Sequence, residues 1–97
     1  MFVSYALIKA MASVKKNLIV KNKQGLHARP AALFVQIANK FDARITVRRD
    51  EERVNGKSIM GILMLGAENG TEITIEAEGD DADMAILELE RIVNSEE

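Results

Sequence analysis

One stretch of the chain, Gly25-Leu26-His27-Ala28-Arg29-Pro30-Ala31-Ala32, holds its single histidine shortly before its single proline, with Arg29 between them. Proline is tolerated in the first turn of a helix, where its missing N–H has no intrahelical partner. Pro30 therefore marks a helix start and puts His27 at the helix mouth. Unpaired amides and the positive end of the helix dipole favour an anion at such a mouth. Arg29 adds a guanidinium able to grip phosphate oxygens through two parallel hydrogen bonds. A neutral imidazole offers a nitrogen lone pair able to accept a phosphoryl group. No Asp, Ser or Cys within the run completes a hydrolytic relay. A plainer reading stands beside this one: a lone histidine ahead of a helix can simply cap it, and spacing alone does not separate the two.

A second stretch, Lys57-Ser58-Ile59-Met60-Gly61-Ile62-Leu63-Met64-Leu65-Gly66, reads as a two-turn helix with Ser58 as N-cap and a stop at Gly66. Ile59, Met60 and Met64 are candidates for an apolar docking patch near the histidine, since methionine adapts to several partners. Core packing is the alternative for all three, and it is the favoured reading for Ile62, Leu63 and Leu65.

The elements that must hold these residues follow from periodicity. A β-branched strand covers Asn17–Lys21 and stops at Asn22-Lys23-Gln24-Gly25. Beyond Pro30, residues Leu33, Phe34, Ile37, Ala38 and Phe41 keep the spacing of one buried helical stripe. Ala43, Ile45 and Val47 alternate with Arg44, Thr46 and Arg48 in a half-buried strand, and Asp50-Glu51 turns into a short strand at Glu52–Val54. Ile73, Ile75 and Ala77 form the buried face of a further strand. A last helix opens at Gly79-Asp80-Asp81 and buries Ala82, Ala85, Ile86, Leu89, Ile92 and Val93. The order β-α-β-β-α-β-α predicts an α+β two-layer sandwich: a four-stranded, mainly antiparallel sheet covered on one face by three helices. Arg44, Arg48, Arg49 and Arg53 lie on or beside the middle strands, either as a basic strip or, preferably, as a solvated sheet face shared with Glu72 and Glu76.

Composition narrows the functions. The chain has 97 residues, enough for one domain, and a net charge of −2 gives it no bulk basic footprint for nucleic acid. An RNA-binding sheet would want aromatic stacking platforms, yet Phe2, Tyr5, Phe34 and Phe41 all fall outside the expected strands. With no cysteine and one histidine, thiol chemistry and multi-histidine metal sites are excluded, and neither a metal nor a cofactor is expected. No apolar run approaches the roughly 18 residues of a spanning helix, so membrane insertion is not expected. The N-terminus lacks a basic leader region and Lys9 interrupts its apolar stretch, so it does not read as a signal sequence. Met11 could itself be a start. Residues 1–13 are therefore read as an extension of unknown role ahead of a domain at 14–97.

The run Gly25–Ala32 resembles the active-site signature of HPr, the histidine-containing phosphocarrier family of the bacterial phosphoenolpyruvate-dependent phosphotransferase system. Lys57-Ser58-Ile59-Met60-Gly61 and Leu65-Gly66 resemble a second signature of that family, and the likeness extends over residues 14–95. It implies the open-faced sandwich already expected. It also implies a cytoplasmic, monomeric carrier rather than an enzyme: His27 takes a phosphoryl group on Nδ1 from phosphorylated enzyme I and passes it to enzyme IIA domains. Arg29 carries over as the phosphate-stabilising residue, and Ser58 as the regulatory serine modified by HPr kinase/phosphorylase. The likeness leaves open a nitrogen-related carrier and a regulatory adaptor working through Ser58. Adaptor relatives that have lost carrier activity replace the histidine that this chain keeps.

Overall fold

Alternating β-branched and polar residues build the strands, and helical stripes of alanine, leucine and isoleucine cover them. The computed structural model describes residues 12–96 and Ser4. In chain order these contain β1 (Ser13–Ile19), α1 (Ala28–Ala38), β2 (Arg44–Arg49), β3 (Glu52–Asn55), α2 (Ile59–Leu65), β4 (Glu72–Glu78) and α3 (Ala82–Asn94). The strands form one sheet in the order β1-β4-β2-β3, and every pairing is antiparallel. This is the α+β open-faced sandwich expected from the sequence. The proposed extension falls largely outside the described residues, although β1 already begins at Ser13.

Inward-facing Ile45, Val47, Ile73, Ile75 and Ala77 meet Phe34, Leu89 and Val93 in a single core. β1 begins and ends earlier than the sequence suggested. Val20 leaves the ladder but stays fully buried, and its amide donates to Thr71 O at 2.9 Å. On the inward side of this edge strand, Lys16 reaches Glu90 of α3 at 2.8 Å, and a charge so placed discourages further strand pairing. Glu76 was expected on a solvated face, but it and Thr74 are both buried. β4 is a central strand, so side chains from its neighbours close over them: Asn17 on Thr74, Lys15 and Arg53 on Glu76.

The β2–β3 hairpin turns through Asp50-Glu51 without a glycine, because Asp50 itself takes the left-handed region at φ 54°. In α1 the buried residues are Ala31, Phe34 and Ala38. Leu33, expected within the stripe, is 45% exposed instead. The helix begins at Ala28, two residues before Pro30, and its buried stripe runs through Ala31 rather than Leu33.

Candidate functional site

His27 is the N-cap of α1, and its Nδ1 accepts a hydrogen bond from the Ala28 amide at 3.0 Å. A ring nitrogen that accepts carries a lone pair, so in the neutral ring the proton belongs on Nε2. The imidazole is exposed, as are Ala28 and Arg29. Ala28 holds φ at 47°, a left-handed conformation costing an L-residue roughly 1–2 kcal/mol. Such strain, where surrounding structure enforces it, is concentrated at working sites. Among the described residues no hydrogen bond or ion pair fixes the Arg29 guanidinium, which leaves its planar fork available to a ligand.

The segment before the histidine is tied down by backbone contacts. Gly25 donates to Asn22 O at 3.0 Å, and Leu26 donates to Ala67 O at 2.8 Å. Asn22, buried in the loop, accepts from the Gln24 amide through Oδ1, while Asn69 Nδ2 donates to the carbonyls of Lys21 and Asn22. Gly25 has φ 72°, and a Cβ there would lie 2.5 Å from Ala67 O, so only glycine permits this approach. By its local pattern Asn22 marks only the end of the first strand. That these loops brace each other depends on the β1–β4 pairing, which no local spacing reveals.

Ser58 Oγ accepts from the Gly61 amide at 3.1 Å, so it is the N-cap of α2, as its spacing suggested. Gly66 ends the helix in the left-handed region at φ 63°. Arg49, a candidate for the basic strip, points elsewhere: Nη1 donates to Leu65 O and Gly66 O, both at 2.9 Å. There it satisfies carbonyls at the negative end of α2.

Two contacts set the direction of α2 against α1. Asn39, which caps the C-terminal end of α1, donates to Lys57 O at 3.1 Å. At the opposite end, Ala67 accepts from Leu26, next to the histidine. The helices therefore run antiparallel, and Ser58 stands about one length of α1, roughly 15 Å, from His27. Ile59, Met60 and Met64 are 40%, 63% and 70% exposed, so core packing does not account for them. Only Met64 lies at the histidine end; Ile59 and Met60 lie beside Ser58, which revises the expectation of a patch at the helix mouth. Ile62 and Leu65 are buried, and Leu63 packs partly against the core.

Among the described residues no cluster of three or more His, Cys, Asp or Glu side chains could hold a metal ion. Nor is any described helix long and apolar enough to cross a membrane.

Known proteins share both the sequence and this architecture. The family model "PTS HPr component phosphorylation site" matches residues 14–95. The HPr-like protein Crh of Bacillus subtilis is 45% identical over 83 residues, covering 86% of this chain and 98% of its own. The phosphocarrier protein HPr of Treponema pallidum is 47% identical over 79 residues, covering 81% of this chain and 90% of its own. The crystal structure of a phosphocarrier protein HPr from Bacillus anthracis superposes with a TM-score of 0.82 at 51% identity, over 84% of this chain and 98% of that one. With a family model over residues 14–95, relatives above 40% identical over four-fifths of the chain and a shared fold, the protein belongs to the HPr family of the phosphotransferase system.

Proposed function

We propose that this chain is a stoichiometric phosphocarrier, accepting a phosphoryl group on His27 from phosphorylated enzyme I and delivering it to enzyme IIA domains of a sugar phosphotransferase system. The observation that carries this reading is an exposed imidazole whose Nδ1 lone pair faces the helix mouth, with Arg29 beside it. In the transfer, the Nδ1 electron pair forms the new P–N bond while the donor's bond to phosphorus breaks and the donor keeps that pair. An acceptor nitrogen that already lacks a proton needs no general base. The Ala28 N–H, released from Nδ1, then donates to a phosphoryl oxygen, and Arg29 shares the remaining charge. Docking supplies the in-line positioning that phosphoryl transfer chiefly requires. An exposed site holds its cargo loosely enough to pass it on, which suits a cytoplasmic, monomeric shuttle. The domain proper spans residues 14–97, with residues 1–13 ahead of it.

Ser58 is the proposed regulatory position, a substrate for HPr kinase/phosphorylase. A phosphate there sits at a helix N-terminus and leaves the fold intact. Its charge falls among the exposed Ile59 and Met60 rather than on the histidine, so it acts by weakening docking. The similarity to Crh supports a second reading, an adaptor working through Ser58 without turnover at the histidine. Retention of His27 together with Arg29 favours the carrier. A nitrogen-related carrier differs in its partner enzymes and shares the same chemistry.

The test is incubation with phosphoenolpyruvate and enzyme I, read by intact mass for wild type and His27→Ala. An acid-labile phosphate present only in wild type supports the carrier. No labile phosphate with the native enzyme I overturns it in favour of the adaptor.

A further inference from the structure

The sheet face opposite the helices carries charge that the carrier role does not use. Arg44, Thr46 and Arg48 of β2 project to this face, as do Arg53 and Asn55 of β3, and the register sets Arg48 directly opposite Arg53. Like charges facing each other across adjacent strands are unfavourable unless something anionic offsets them. Among the described residues the acid that pairs with these arginines is Glu76, 3.3 Å from Arg53, and it is shared with Lys15 at 3.8 Å. Glu78 stands opposite Arg44 in register, yet among the described residues no ion pair joins them.

Two of these arginines, Arg44 and Arg53, border a depression together with Lys57. Arg44, Thr46, Arg53, Asn55 and Lys57 are among the residues that line a solvent-open hollow of about 440 Å³. None of these residues belongs to the histidine loop. Each cation keeps donors in reserve: Lys57 uses one on Phe41 O while its charge also acts on the Asp81 carboxylate, and Arg53 gives Nη2 to Glu76. Three positive side chains, a hydroxyl and an amide around one hollow contrast with a chain whose net charge is −2. A single exposed cation binds phosphate weakly, but several around one hollow favour a ligand with more than one phosphoryl group.

We propose that this hollow on the open sheet face is a binding site for a compact polyphosphorylated small molecule, separate from the His27 site. The experiment is a titration of the ¹⁵N-labelled full chain with tripolyphosphate at fixed ionic strength, followed by amide shifts. The expected result is saturable one-to-one binding with shifts concentrated at residues 44–48 and 53–57. Arg44→Gln and Lys57→Gln each weaken it roughly tenfold, as loss of one charge-assisted contact implies. Both variants still accept phosphate at His27, which verifies folding, and Arg29→Gln leaves binding at the sheet unchanged. Shifts concentrated at residues 26–32 and abolished by Arg29→Gln overturn the proposal by moving the anion to the histidine. Non-saturating shifts, or wild-type affinity in both sheet variants, overturn it as diffuse surface charge. A single-stranded RNA that binds the same amides more tightly than tripolyphosphate overturns it in favour of a nucleic-acid surface.

Discussion

Replacing Gly25 with alanine tests whether the histidine loop is held by its approach to Ala67. An alanine at φ 72° costs roughly 1–2 kcal/mol by backbone strain alone. Its Cβ would also sit 2.5 Å from Ala67 O and 2.8 Å from Glu68 Cα, both backbone atoms with little freedom to yield. The loops must separate, and the 2.8 Å Leu26–Ala67 hydrogen bond, worth about 1 kcal/mol, is stretched or lost. Reduced freedom of the unfolded chain returns at most about 1 kcal/mol. A net destabilisation of about 1–3 kcal/mol follows, and for a domain of this size each kcal/mol lowers Tm by about 4–8 °C. Urea denaturation should show a lower midpoint with an unchanged slope. Phosphoryl transfer to His27, assayed well below the melt, should slow by about tenfold because the imidazole is displaced. A loss of stability under about 1 kcal/mol together with wild-type transfer would refute the bracing role of this contact.

Ala28→Gly removes the left-handed penalty but loosens the unfolded chain, so a gain of about 0.5–1 kcal/mol is expected in urea melts; a loss contradicts the strain at φ 47°. Asp81 has carboxylate oxygens that accept from the Asp42 and Ala43 amides at 2.9 and 2.8 Å. Burial pushes its carboxyl up, but the backbone amides of Asp42, Ala43 and Asp81 and the Lys57 ammonium more than offset this and hold it below the usual 3.8. The stabilisation is therefore present above that value and lost as pH falls through the lower folded value. Asp81→Ala should cost about 1 kcal/mol at pH 7, a partly exposed contact being weakened by solvent; the gap in Tm should close at strongly acidic pH, and a constant gap refutes the linkage. Met60→Asp, at a side chain 63% exposed, should leave Tm within about 2 °C while raising the KM for enzyme I; an unchanged KM removes Met60 from the docking surface. Ser58→Asp should slow transfer at subsaturating enzyme I with the fold preserved, and equal rates count against regulation through docking.

Much of this molecule was legible because local chemistry and tertiary structure agree. Pro30, Ser58 and Gly66 announce helix ends through hydrogen bonds that each end must make or forgo, and the fold has its helix ends there. The α3 stripe, from Ala82 to Val93, was read in full because every one of its apolar residues is buried. Where several partners compete for a residue, local pattern failed. Leu33 fits a helical stripe yet is exposed, since Ala31, Phe34 and Ala38 already fill the contact. Arg49 fits a basic strip yet caps α2, a role fixed by a helix 16 residues further on. Thr74 and Glu76 alternate as solvated residues do, but only the strand order reveals that β4 is central. The antiparallel run of α2 against α1, which separates Ser58 from His27, rests on Asn39 and Ala67, neither of which signals a partner in the sequence.

The central claim is that His27 Nδ1, turned to the Ala28 amide, receives the phosphoryl group. It is tested most directly by ¹⁵N and ³¹P NMR of the chain after phosphorylation by enzyme I and phosphoenolpyruvate. The expected result is ³¹P coupling at Nδ1 and a shifted Ala28 amide as its donor passes from the ring to a phosphoryl oxygen. A phosphoryl group on Nε2, or on a residue other than His27, would contradict it.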